Sequence, residues 1–468
     1  MPIRSNHTVW LRILMVAIGG GQWLTPLSLV AQTETDGARL APTTSVIRAV
    51  AADHEYWNQY RGPRGDGSTM ADLPLEFSEG SPQVLWKTPI AGRAWSSPVV
   101  WEERIWLTNA PEIQNAPGLS DFDAIPKTLP PALDPPLKFS VVCLDAKTGQ
   151  VLKDFPVLDV THPQFTHLTN SYASSTPVVE AGRLYAHYGS HGTVCVDTNT
   201  DQVLWRRTDI YCHHWRGAGS SPIVHGDLLY IAFDGYDHQF MIALNKHTGE
   251  TVWQRNRDVD FGTDDGDAKK AYSTATVVEV DGRLLLVSPF ASATTAYDAL
   301  TGETVWTVHH SGMNAAARPI VGNGLVYIAA GDGRDTVVAI DPRVELPPGQ
   351  DRIRWQLGRS TPRRPSPLLV GTALFMLEDK GVLSWVEATT GEAITNDRAT
   401  GNYWASPLLA RDRIYCFSQE GRVTVLQANE SLKVLAINQL DEGMNASPAV
   451  CGNRLILRTF KHVYCIGN

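Results

Sequence analysis

The chain has 468 residues, 43% of them hydrophobic and 19% charged, a mixture that belongs to a folded protein and excludes a disordered one. Its formal net charge of -9 lacks the basic footprint of a nucleic-acid binder, so that class is set aside. Length alone would suggest several domains, but an internal repeat overrides that prior, because a propeller runs long as one unit.

In chain order, Arg4 and Arg12 precede an apolar run, 13–18, that resumes at Trp23 and ends at Val30-Ala31. Its interruption by Gly19-Gly20-Gly21-Gln22 and Pro26 suits a cleaved signal peptide over 1–31 better than a spanning helix. The chain is therefore expected to be exported, periplasmic or extracellular, with no membrane span after signal removal and an anchor only if the signal stays. Residues 32–55 are small and polar and read as a flexible tether. An N-terminal arm, 56–83, carries Trp57-Asn58-Gln59-Tyr60-Arg61-Gly62-Pro63-Arg64-Gly65-Asp66-Gly67.

From 84 to 468 the chain repeats. Ser97-Pro98-Val99-Val100 opens the first unit, and the other starts centre on Pro177, Pro222, Thr276, Pro319, Pro367, Pro407 and Pro448. Each unit holds about four short β runs divided by turn residues, as a propeller blade does. A Pro-rich insertion at about 110–137 lengthens the first unit. Later in a unit comes a turn such as Asp298-Ala299-Leu300-Thr301-Gly302. There the acidic side chain accepts backbone N–H groups and the glycine takes positive φ. Four residues on stands Trp205, Trp253 or Trp306, a ring that can cover the junction with the next blade. Lys153, Thr395 and Leu435 hold that place elsewhere, and Trp355 is reached through an altered loop. The last unit stops at Asn468 before its fourth strand, while Val84-Leu85-Trp86-Lys87 stands unused before the first. The N-terminal strand is therefore expected to complete the C-terminal blade and leave no open edge. The predicted fold is all-β, a single eight-bladed β-propeller of four-stranded antiparallel blades.

Ala243–Trp253 and Ala296–Trp306 resemble the tryptophan-docking repeat AxDxxTGxxxW of eight-bladed pyrroloquinoline-quinone (PQQ)-type propellers. Trp57–Gly67 resembles the WxQ[FY]RGPxxDG entry motif of exported PQQ-like repeat proteins of planctomycete type, which are named as BamB-like. The resemblance covers nearly all of the chain beyond the tether. It implies a non-catalytic binding or scaffold protein of the cell envelope, monomeric, with a protein or polysaccharide partner. The alternative it carries is a quinone- or metal-dependent oxidoreductase using the same face. Dehydrogenases of that type hold the quinone over a vicinal Cys-Cys disulfide beside a calcium. No two of the six cysteines here are adjacent, and no CxxCH is present. No cofactor is expected; PQQ and calcium stay open to test. The cysteine pairing stays open too.

Residues just before each unit start should ring the central channel mouth. They are Arg93, Trp95, Tyr172, His213, His214, Trp215, Arg216, Tyr272, Asn314, Arg318, Arg363, Arg364, Tyr403, Trp404, Met444 and Asn445. Aromatics beside Arg and Asn on a concave surface have the composition of a ligand or partner site. The bland alternative is that they fill the channel and satisfy one another. Metal candidates are weaker: His191 with His213, or Asp332 with Asp335 on a Gly-rich turn, against turn-capping carboxylates and hydrogen-bonding histidines. Gly217-Ala218-Gly219-Ser220-Ser221 places its glycines on the wrong side for a nucleophile elbow, so no catalytic residue is assigned.

Overall fold

The computed structural model describes residues 46–50, 54–111, 136–167, 169–334 and 336–468. The expected signal segment, most of the tether and the body of the 110–137 insertion lie outside them. Eight antiparallel blades form the propeller, and the one helical turn among the described residues is a 3-10 turn, Gly266–Lys269. Blade 1 comprises Val99–Trp101, Arg104–Asn109, Leu137–Asp145 and Val151–Val160. Blades 2 to 7 follow in sequence, starting at Val178, Ile223, Thr276, Ile320, Leu368 and Leu408. Blade 8 joins the two ends of the ring: Ala449–Cys451, Arg454–Arg458 and His462–Ile466 take Val84–Pro89 as their outermost strand. That is the closure expected from the unfinished last unit.

The burial pattern explains the sequence pattern. Middle strands such as Leu228–Asp234 are apolar along their length because a neighbouring blade covers each face. Outermost strands such as Val203–Arg207 alternate, half of each facing water. The start of blade 4 is one residue earlier than the sequence pattern suggested. Thr276 pairs across to Val287, Ala296 and Trp306 as Ile223 does to Tyr230, Ala243 and Trp253. Thr274-Ala275 therefore stands where Ser221-Pro222 does, and with alanine in the proline's place nothing local anchors that register.

Adjacent blades are locked by the tryptophans. Each indole N–H donates to a carbonyl in the next blade's turn: Trp86 to Ala146, Trp205 to Lys246, Trp253 to Ala299, Trp306 to Pro342 and Trp355 to Ala388, all at 2.8–3.1 Å. The ring lies on the turn glycine so closely that a Cβ on Gly302 would sit 2.5 Å from Trp253. Between blades 1 and 2 the pair is replaced as a unit. Lys153 Nζ donates to the equivalent carbonyl, Thr198 O (2.8 Å), and meets Asp201 (2.5 Å), which holds the glycine's place at φ +63°.

The N-terminal segment runs under the ring. Ile47–Ala49, within the stretch expected to be a tether, pairs with the innermost strand of blade 4. Trp57 O and Asn58 O then accept from Val100 and Val179 on the innermost strands of blades 1 and 2 (2.7 and 2.9 Å). Ser68–Thr69 pairs parallel with the innermost strand of blade 7. Beyond it the arm passes outward along blade 7, where Tyr415 donates to Leu73 and Pro74 carbonyls, and Asn438 holds Leu75 O and Phe77 N–H. Trp57, Leu73 and Phe77 are buried with Tyr415, Val425, Leu455 and Tyr464. Leu73 and Phe77 fill the ground between blades 7 and 8, where the register corrects the expected Leu435: Val425 pairs with Ala436 as Ala243 does with Trp253, so Ala436 stands in the docking tryptophan's place.

Candidate functional site

The entry motif closes the channel. Arg61, fully buried, donates to the carbonyls of Asp66, Pro367 and Pro407 at 2.7–3.3 Å. Arg318 reaches from blade 5 to Tyr60 O (2.6 Å) and Gln59 Oε1 (3.4 Å). Gly65 and Gly67 sit at positive φ against the two guanidiniums, where a Cβ would come within 2.4–2.6 Å of them. Burial, and then the neighbouring Arg61, push Arg318 down to about 10, still cationic at neutral pH. The floor leaves a recess of about 320 Å³ on the arm side, lined by His54, Asn58, Gln59, Val178, His225 and Arg318 among others. On the other side it leaves a cup of about 390 Å³ with Tyr60 at its base.

A belt of hydroxyls surrounds the cup. The backbone N–H of Ser97 donates to Thr176 Oγ1, Thr176 to Ser221, Ser221 to Thr274, Arg318 to Ser366, Ser366 to Ser406 and Ser406 to Ser447, each at 2.9–3.0 Å. Each accepting hydroxyl oxygen is thus engaged by the backbone of the preceding blade, and its own O–H is left to give.

Above the belt the loops supply charge and rings. Arg216 pairs with Asp267 through Nε and Nη2 (3.3 and 3.0 Å), and Lys270 meets the same carboxylate. Burial alone would raise Asp267, but the bonds from Arg216 and Lys270 hold it at about 2. Arg363 Nη1 faces Asp332 at 3.1 Å, and Asn314 donates to that carboxylate at 3.2 Å. Arg364 pairs with the buried Asp379, which also accepts the N–H groups of residues 363 and 364. The Arg364 guanidinium lies 4.3 Å from the Trp404 ring, Trp404 meets Trp95 edge to face at 5.9 Å, and Arg93 covers Trp95 at 5.3 Å. Asn314 is held at φ +56°, and two buried polar atoms here, Asn314 Oδ1 and the Tyr272 hydroxyl, have no hydrogen-bond partner among the described residues. Burial raises the Tyr272 hydroxyl well above the usual phenol.

Of the residues expected at the mouth, Trp95, Arg216, Tyr272, Asn314, Arg363, Arg364, Trp404 and Asn445 line this one cavity. The others are elsewhere. Arg318 is turned down into the floor, and Tyr403 and Met444 are core residues. Tyr172 packs on Phe139 and His191, and Arg93 backs Trp95. His213, His214 and Trp215 are buried in the wall between blades 2 and 3, with Trp215 at φ +57° accepting strain to place its ring on Phe165. Sequence reasoning missed Tyr60, Asp267 and Asp379. Asp267 arises from the 3-10 turn between blades 3 and 4, whose acidic run 264–267 was the available signal.

The two histidines proposed as metal candidates are each engaged in their own hydrogen bonds. His191 accepts from Gln164 N–H (3.0 Å) and bonds Tyr188 O (3.0 Å), while His213 Nδ1 accepts from Trp215 N–H (3.1 Å). Asp335 lies outside the described residues. Among those described, no three His, Cys, Asp or Glu gather to hold an ion, and all six cysteines are buried thiols. The donors also do not fit the calcium beside a quinone: Asp267 is committed to Arg216 and Lys270, and Asp332 to Arg363 and Asn314.

Comparison with known proteins agrees with the architecture. The chain is 22% identical over 255 residues to the outer membrane protein assembly factor BamB of Yersinia pestis, 54% of this chain and 60% of that one. It is 33% identical over 166 residues to subunit 1 of the methanol dehydrogenase [cytochrome c] of Methylorubrum extorquens, 31% of this chain but only 25% of the relative. The chain thus spans less than two thirds of either relative. Quinohemoprotein alcohol dehydrogenase from Comamonas testosteroni superposes with a TM-score of 0.60 over 89% of this chain and 82% of its own, at 12% identity, a likeness of fold. A europium-containing methanol dehydrogenase does so at 0.58, over 86% and 89%, with 10% identity. Among the described residues no helix is long and apolar enough to cross a membrane. The family model described as outer membrane protein assembly factor BamB matches residues 136–255 and 237–466, most of the ring, and the chain belongs to that family of PQQ-like repeat propellers.

Proposed function

We propose that this chain is an exported binding or scaffold protein of the cell envelope that takes its partner at the cup. The observation that carries this reading is the blind cup itself. The arm closes the channel from one side, and the open side presents arginines, two tryptophans and asparagines around polar atoms that lack partners. Concave sites with a few converging polar groups are where ligands bind. The carboxylates that general acid–base chemistry would need are already tied to cations. The signal-like segment 1–31 supports export.

A second reading, an oxidoreductase on the same face, is favoured by the match to methanol dehydrogenase and by the dehydrogenase-like ring. One experiment separates the two. The protein is expressed with export, incubated with pyrroloquinoline quinone and calcium, and assayed for bound quinone and metal; a Trp404→Ala variant is compared with it in capture of envelope components. The expected result is no stoichiometric uptake and capture that depends on Trp404. Tight uptake of quinone or metal overturns the binding reading, as does capture indifferent to the cup.

A further inference from the structure

We infer that the occupant of the cup is an acidic sugar, a glycan unit bearing a carboxylate or sulfate. This inference rests on the reading of the cup as a partner site and adds the chemistry of the partner. Three observations support it.

The first is an imbalance of charge beneath and beside the cup. Arg61, Arg318 and Arg458 are each buried, and their bonds go to neutral oxygens: carbonyls, the Gln59 and Asn109 amides, and the Ser96 and Thr276 hydroxyls. The carboxylate nearest the floor, Asp66, is turned to Ser68 and Arg64 and acts on Arg61 and Arg318 only through space. A buried cation without a contacting carboxylate is poorly screened, so its field reaches into the adjoining cavity. A chain of net charge -9 thus holds two buried cations, Arg61 and Arg318, in the floor of the cup.

The second is hydrogen-bond polarity. The belt hydroxyls facing the cup accept from the backbone and so offer donors. Arg363 and Arg364 each commit only Nη1 to a carboxylate, while their side chains remain 59% and 41% exposed. Arg216, by contrast, spends Nε and Nη2 together on Asp267. Donors aimed at a shared space fit an acceptor-rich anion, and a guanidinium edge fits a carboxylate or sulfate.

The third is the scarcity of aliphatic surface. Met313 and Ala316 are the aliphatic side chains lining the cup; the rings that line it are the edge-to-face pair Trp95–Trp404 with Tyr60 and Tyr272. A hydroxyl-rich lining beside aromatic rings matches a sugar, which presents both hydroxyls and C–H faces, better than the apolar side chains of a protein hot spot.

The test uses the exported chain with three probes of equal length: trigalacturonate, a sulfated trisaccharide and a neutral glucose trimer. Tryptophan fluorescence and calorimetry are followed at two salt concentrations. Expected is saturable binding of one or both acidic probes, weakened at least tenfold by Arg363→Gln, restored in part by Arg363→Lys, and reduced at higher salt, with the neutral trimer failing to bind. Which acidic probe wins tells carboxylate from sulfate. Because Arg364→Gln would orphan Asp379 and could unfold the loop, Arg363, the more exposed, is the primary variant. The inference is overturned if the neutral trimer binds as well as the acidic ones, or if none binds. In that last case, capture of an envelope protein that still requires Trp404 leaves the binding reading standing and removes only the acidic sugar; loss of both removes the reading itself.

Discussion

The junction between blades 3 and 4 and the junction between blades 7 and 8 solve the same packing problem differently. In the first, one residue does the work: Trp253 lies on Gly302 and donates to Ala299 O, all within a repeat of the sequence. In the second the tryptophan place is held by Ala436, and a segment more than 300 residues away in sequence, 67–79, is laid along the gap. A repeat protein is usually a chain of equivalent interfaces. Here the equivalence is broken where the arm enters, and the same arm floors the cup. Sealing the ring and making the candidate site are one structural event.

The comparison can be broken most directly at its two anchors. Trp253→Ala and Phe77→Ala each remove a ring that is at most 5% exposed, and each should cost about 3–5 kcal/mol in chemical denaturation. A nearly neutral Phe77→Ala would mean the arm decorates a ring that is already complete. Next in size is the exchanged pair between blades 1 and 2. Lys153→Trp alone and Asp201→Gly alone should each destabilise, the first by crowding Asp201 and the second by orphaning Lys153. Together they should rebuild the tryptophan dock, with a coupling of about 1–3 kcal/mol in a double-mutant cycle. An additive result would show that the two positions do not act as a unit.

A smaller effect sharpens the contrast through pH. His187, His191 and His214, in and beside the junction of blades 2 and 3, are pushed by burial down to about 3, 4 and 3 from an ordinary value near 6.5. The unfolded chain therefore binds more protons between those limits. Their contribution is fully present above about pH 6.5 and is lost progressively as pH falls towards about 3–4. Urea midpoints should decline over that window, and His191→Gln should flatten the decline by up to one proton; an unchanged slope would mean that His191 is solvated. The least effect belongs to the Ile47–Ala49 strand. Arg48→Ala removes an exposed pair with Glu279 and should change stability by no more than about 0.5 kcal/mol.

The ring was legible in the sequence because its determinants are local. Ser-Pro starts, Asp-x-x-Thr-Gly turns and the tryptophan four residues later recur at blade spacing, and the one misplaced start, blade 4, is the one where proline is missing beside Thr274. The lining of the cup was legible by position and not by direction. A loop entering each innermost strand had to lie at the mouth, yet whether its side chains face the axis depends on contacts such as Arg318 to Tyr60 O, 258 residues apart. The entry motif was visible as a motif. Its role as a floor was not, because its partners are carbonyls and N–H groups on the innermost strands of blades 1, 2, 6 and 7, and backbone groups carry no sequence signature.

Blade 8 also sets the order in which the molecule can be finished. Its outer strand, Val84–Pro89, leaves the ribosome well before its partner, His462–Ile466, with seven blades of chain between them. For most of synthesis the early strand must remain unpaired or borrow a partner. Bringing the two together closes a loop whose chain-length entropy alone is about 5 kcal/mol, from (3/2)RT ln n. Such distant pairing is slow, and until it is made the chain offers an open sheet edge to its neighbours. Losing even the final strand would therefore do more than shorten the protein: it would leave a ring with a permanent gap and a strand free to stitch one molecule to the next.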